Sequence, residues 1–134
     1  LLTILSVIMK DIFQVEYVLG KISQNVLWKA LSTPDGLACW FADQVEEEEN
    51  MFVFHWGKSK QNAVILSKKS NNLVRLHWEE EDPRFYFEIK LSVSELSGDA
   101  ILRITDFCES TSDMHDLTEW WNMKIECLRK SFGI

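Results

Sequence analysis

The 134-residue sequence is poor in the residues from which catalytic and metal centres are usually assembled. Its three cysteines, Cys39, Cys108 and Cys127, are odd in number and scattered, with no CxxC or Cys/His spacing. That pattern argues against a disulfide framework or a zinc site and reads as reduced thiols in a cytosolic protein. No partner motif lies beside any of the three, so a reactive cysteine is disfavoured as well. A glycine-rich phosphate loop, GxSxG and HExxH are all missing, and nothing calls for a cofactor or metal. Positive charge is also short. Lys and Arg number 14 against 21 Asp and Glu, a net charge of −7, whereas a nucleic-acid binder needs a basic surface. Long apolar runs are absent: the N-terminal LLTILSVIM is about half of what spans a bilayer. It also lacks the positive flank and cleavage site of a signal peptide. Residues 1–9 therefore read as an irregular extension ahead of a cytosolic start at Met9-Lys10-Asp11, with an extra edge strand or interfacial anchor as the alternative. No stable membrane anchor is expected.

What is present is apolar patterning. Hydrophobic residues make up 46% of the chain and aromatics 12%, enough for one well-packed domain over residues 10–134 and far from the composition of disorder. The clearest element is the last. In Ser112–Gly133, Met114, Leu117, Trp121, Ile125, Leu128 and Phe132 recur at spacings of three and four. That spacing predicts an amphipathic helix with one apolar stripe. Ser112 is the expected N-cap, Asp113 and Asp116 suit the positive end of the helix dipole, and Gly133 suits the C′ position.

Upstream, IFQVEYVL (12–19) alternates with Phe13, Val15, Tyr17 and Leu19 on one face, the pattern of a half-buried strand. Ser23 can cap a helix to about Leu31, and Thr33-Pro34 starts a second short one with Leu37, Trp40 and Phe41 on its apolar face. From Gln44 the period becomes two. Strands are expected at 51–56, 62–67, 73–78, 84–93 and 100–107, separated by turn-like breaks. The acidic runs 46–49 and 79–82 read as solvated hairpin tips. The order strand, two short helices, about six strands, long helix gives an α+β fold. A curved antiparallel sheet wrapped around the final helix satisfies it most economically.

With that order established, LWKALSTPDGLACWF (27–41) resembles the VW-x-A-L-T-x-P-x-x-L-x-x-W signature of bacterial proteins similar to the activator of the heat-shock chaperone ATPase. Leu27, Trp28, Ala30, Leu31, Pro34, Leu37 and Trp40 carry the match. FVFHWGK (52–58), LRITDF (102–107) and the Trp120-Trp121…Leu128 spacing are similar to the same START-like, helix-grip branch. The resemblance covers residues 10–134. It implies a sheet of about seven strands gripping the C-terminal helix, with an apolar cavity between them. It does not imply one activity, because that superfamily holds lipid carriers, cyclases and co-chaperone modules.

Candidate residues follow from alternation. His55 and His77 fall on polar strand faces beside Arg75 and read as exposed cross-strand partners rather than acid–base groups. His115 falls off the apolar stripe. Leu102 and Ile104 point inward, so Asp106 is an inward carboxylate. It either accepts backbone N–H groups ahead of the last helix or serves as a polar anchor at the cavity mouth. Trp40, Trp56, Trp78 and Trp121 lie on inward faces as core or cavity wall, and Trp120 sits at the stripe's edge, at the cavity entrance or a dimer contact.

On the resemblance, the cavity would be bounded by Trp40, Phe54, Phe87, Ile104, Trp121 and Ile125, with Asp106 or Tyr17 supplying one directional contact. The leading expectation is a non-enzymatic module for a lipid-like or aromatic small molecule. The alternatives are a protein-interaction module, with a chaperone or a second copy as partner, and, ranking lower, a cyclase- or hydrolase-like enzyme.

Overall fold

A computed structural model of the chain describes residues 10–134. The expected N-terminal extension, residues 1–9, lies outside the described residues. The described residues form ten elements: β1 (Asp11–Gly20), α1 (Gln24–Ser32), α2 (Pro34–Leu37), β2 (Gln44–Glu48), β3 (Met51–Trp56), β4 (Ser59–Lys69), β5 (Leu73–Trp78), β6 (Phe87–Val93), β7 (Ala100–Cys108) and α3 (Thr111–Phe132). The strands form one antiparallel sheet in the order β1-β7-β6-β5-β4-β3-β2. Six consecutive strands are thus a meander, and β1 closes the far edge beside β7. The two short helices carry the chain from one edge of the sheet to the other.

That crossing depends on a tight joint. Thr33 caps α2, its Oγ1 accepting from Gly36 N–H at 3.0 Å while donating to the Lys29 carbonyl at 2.7 Å, and Pro34 occupies the first turn, where its missing N–H costs nothing. At Gly36 a Cβ would run into the Lys29 carbonyl, so only glycine lets α2 fold back on α1. Trp40 Nε1–H then donates to the Ala30 carbonyl at 2.7 Å and ties the bent unit together.

Phe41 is the hub of the core. Its ring lies 4.8 Å from Phe54, 5.4 Å from Trp40, 5.6 Å from Trp120, 5.8 Å from Trp56, 5.9 Å from Phe87, 6.0 Å from Trp121 and 6.5 Å from Trp78. Helix, sheet and C-terminal helix all meet on that one side chain.

Three expectations are corrected. The N-cap of α3 is Ser110, not Ser112: Ser110 Oγ accepts from Asp113 N–H at 3.1 Å, and the Asp113 carboxylate reaches back to Glu109 N–H at 2.8 Å. The pairing works like a capping box but with the back-bond one residue earlier, on the N–H before the cap, and it moves the helix start two residues earlier. The 84–93 strand starts later than its alternation suggested, because Arg84–Tyr86 belong to the preceding loop, and Val93, which alternation turns inward, ends the strand exposed. The acidic run at 46–49 is not a tip but mostly the edge strand β2, where charge discourages pairing with another chain; only Glu49 turns, at φ 52°. Among the described residues no helix is long and apolar enough to cross a membrane.

Candidate functional site

The helix α3 is seated unevenly. Trp121, Ile125 and Leu128 are fully buried, while Leu117 is half-buried and Met114 is 37% exposed. Its C-terminal part therefore presses on β7 and β1, and its N-terminal turns stand over a gap. That gap is a cleft of about 580 Å³. Asp113, Asp116, Leu117, Trp120, Trp121 and Lys124 line it from the helix. The sheet side is formed by Trp56 at the end of β3, Gln61 of β4, Trp78 at the end of β5 and Asp106 near the end of β7. Glu80 and Glu81, from the loop after β5, complete the rim.

The tryptophans are held in place. Trp56 Nε1–H donates to the Phe41 carbonyl at 2.9 Å and Trp121 Nε1–H to Asp106 Oδ2 at 2.9 Å. Trp120 meets Trp121 edge to face at 4.9 Å, and Trp56 lies 6.1 Å from Trp78. Satisfied N–H groups leave the ring faces free for apolar contact.

Asp106 points inward as alternation requires. Its second oxygen accepts from Phe107 N–H at 2.8 Å. Burial pushes its pKa up to about 6 and Glu81 adds to the shift, against the Trp121 and Phe107 hydrogen bonds and Lys10, which lower it. Desolvation thus outweighs hydrogen bonding. Asp106 accepts the N–H of its successor and lines the cleft.

Of the residues expected to surround a ligand, Trp121 and Asp106 line this cleft. Phe54, Phe87, Ile104 and Ile125 are packed in the core at 0–1% exposure. Trp40 faces a separate shallow groove with Cys39 and Cys127. Tyr17 lies outside the cleft lining: its hydroxyl donates to Asn122 Oδ1 at 2.6 Å, and burial raises its pKa. The inward faces of the central strands are filled by one another, so the open space lies at the strand ends. Glu80, Glu81, Asp113, Asp116 and Lys124 were not singled out as cleft residues, because on a helical wheel or at a turn they read as solvated. The signal was a second helical stripe, 113, 116/117, 120/121 and 124, running beside the apolar one.

The histidines divide. His55 Nε2 lies 3.1 Å from Glu46 Oε1, a cross-strand pair as expected. His77, expected to be exposed, is 8% exposed, and its Nδ1 lies 2.7 Å from the Phe85 carbonyl oxygen. The 79–86 loop folds back over that outer face and covers it. Cys108 is buried, and burial raises its thiol pKa, while Cys39 and Cys127 are exposed and free.

Comparison with known proteins agrees with this architecture. Among curated proteins none matches the sequence. A Bacteroides fragilis protein solved in solution is 38% identical, covers 93% of this chain and 93% of its own, and superposes with a TM-score of 0.68. The Aha1 dimer of Colwellia psychrerythraea is 16% identical over 92% of this chain and 96% of its own, TM-score 0.71. A Mesorhizobium loti protein is also 16% identical, over 92% and 97%, TM-score 0.73. The latter two likenesses speak for the fold alone. Residues 7–134 match the START-like superfamily domain, and the chain belongs to that superfamily.

Proposed function

We propose that this protein is a non-enzymatic binding module that takes a small, largely apolar ligand in the cleft between the sheet and the N-terminal turns of α3. The observation that carries this reading is the cleft itself: about 580 Å³ walled by Trp56, Trp78, Trp120 and Trp121. A space of that size with aromatic walls and a few polar groups is what small-molecule sites offer. Binding rather than turnover is supported by Asp106, the buried carboxylate, whose two oxygens are both engaged by fixed N–H donors. Four cleft tryptophans make the test direct. Intrinsic fluorescence titrated with fatty acids, sterols and aromatic polyketides, alongside native mass spectrometry of co-purifying molecules, should show saturable binding in about the micromolar range. Filling the space with Leu117→Phe and Gln61→Phe together should abolish the response while far-UV circular dichroism stays unchanged. A response that survives in the filled variant places the ligand elsewhere.

A protein-contact reading has its own, separate support. The edge strand β1 exposes Ile12 and Val18, each at 55%, and one of the similar folds is named as a dimer. Sedimentation of the purified chain over a range of concentrations tests it; a monomer throughout would remove this reading.

A further inference from the structure

The charge around the cleft is one-sided, and it narrows the ligand class; the argument rests on the cleft-binding reading above. Among the described residues, five carboxylic side chains, Glu80, Glu81, Asp106, Asp113 and Asp116, face the same space as a single cation, Lys124. Some are already committed: Glu81 pairs with Lys10 at 3.3 Å, Asp113 caps Glu109 N–H, and Asp106 is held by Trp121. Glu80 and Asp116 form no ion pair or side-chain hydrogen bond among the described residues. An acidic rim alone would mean little. Here it surrounds aromatic faces, and those faces already carry a cation. The Lys124 ammonium sits 5.5 Å from the Trp120 ring centre and 6.0 Å from that of Trp56, and it makes no carboxylate ion pair among the described residues. Tryptophan is the strongest cation–π partner among side chains. Lys124 thus shows, with the protein's own atoms, that this wall accommodates an ammonium group.

We infer that the cleft selects a hydrophobic cation: an aryl or alkyl amine, or quaternary ammonium, whose apolar body lies along Trp56, Trp78 and Trp120 and whose charge faces Glu80 and Asp116. Cation–π attraction and the rim's field act in the same direction for such a ligand, and a low-dielectric wall strengthens both. For an anionic amphiphile both act against binding, since the ring faces are negative and one lysine faces several carboxylates. The feature that attracts anions, the N-terminus of α3, is already capped by Ser110 and has Asp113 in its first turn. Lys124 competes with the ligand's cation for the same rings.

The experiment compares three probes of one shape: 4-phenylbutyl-trimethylammonium, 4-phenylbutanol and 4-phenylbutyrate, titrated by calorimetry at low ionic strength. The ammonium should bind about tenfold tighter than the alcohol, and the carboxylate weakest. In Glu80→Gln/Asp116→Asn the ratio of ammonium to alcohol affinity should fall toward one, and in Lys124→Gln it should rise. Alcohol or carboxylate binding as tightly as the ammonium overturns the cation assignment and leaves the cleft reading standing. A ratio unmoved by Glu80→Gln/Asp116→Asn likewise overturns it. Failure of all three probes, together with silence in the fluorescence screen, overturns the cleft reading itself and this inference with it.

Discussion

At the scale of single residues, Asp106 and Trp121 are one unit. The indole lies at 1% exposure and its N–H is spent on the carboxylate. Removing the ring in Trp121→Ala should cost about 3–5 kcal/mol, the range for deleting a buried aromatic. Glu126→Ala, on the solvent side of the same helix, should stay within about 0.5 kcal/mol. Chemical denaturation distinguishes them, and equal losses would mean the stripe faces the other way. Trp121→Phe keeps most of the packing but removes a hydrogen bond that lowers the Asp106 pKa, so the carboxyl should titrate still higher when followed by NMR. The pH dependence has a definite sign. Asp106 binds its proton more tightly folded, at about 6, than at its ordinary 3.8. The stability tied to the protonated form is therefore fully present below about pH 3.8 and lost as pH rises through 6. That swing is on the order of 2–3 kcal/mol. Other charged groups lie nearby, namely Glu80, Glu81, Asp113, Asp116, Lys10 and Lys124. The difference between wild type and Asp106→Asn isolates the one carboxyl. The variant's stability curve should be flatter between pH 4 and 6, and parallel curves would place Asp106 in water.

At the scale of elements, the joint and the cap are where local chemistry decides. Ser110→Ala should cost about 1 kcal/mol, as for other lost N-caps, and Ser112→Ala should be close to neutral. The reverse order in thermal melts would restore the later helix start. Gly36→Ala should cost about 1–3 kcal/mol, because the obstructing atom is the Lys29 backbone carbonyl and not a side chain that can swing away. Most elements were legible locally: both short helices, the Pro34 start, the Gly133 stop at φ 72° and the strand intervals. The start of α3 was less so. Ser112 has the residue type of a cap and reads as one, but in the fold Ser110 takes the Asp113 N–H, and the Asp113–Glu109 contact reinforces that choice. The 84–86 segment alternates like a strand. Its fate was settled by the loop that turns it back over His77.

At the scale of the molecule, the two edges of the sheet are treated differently. β2 carries Glu46, Glu47 and Glu48, and Glu47 reaches Lys68 at 3.8 Å, while β1 exposes Ile12 and Val18. Charge on an edge strand prevents pairing with a neighbouring chain. Replacing Glu46 and Glu48 by Val should therefore produce oligomers, seen by sedimentation, at concentrations where the wild-type distribution does not change. An unaltered distribution would show that the acidic edge has no protective role.

Apart from the edge strand β2, whose acidic run reads as a hairpin tip, and the two ends of the 84–93 strand, the sequence by itself determined the element order, the inward faces of the strands, the inward carboxylate at Asp106 and the membership of the helix-grip architecture. Each of these follows from periodicity or from a local signature, which a short window of residues expresses fully. The position of the cleft was decided by tertiary structure alone. Phe54, Phe87, Ile104 and Ile125 face the helix as alternation says, yet they fill the centre because Phe41 and its ring neighbours meet there. The cleft opens where α3 leaves its seat, at strand ends whose neighbours come from Trp56, Trp78 and the 80–81 loop. Periodicity reports which way a side chain points. Whether something meets it there depends on the curvature of the sheet and the seating of the helix, which long-range packing sets.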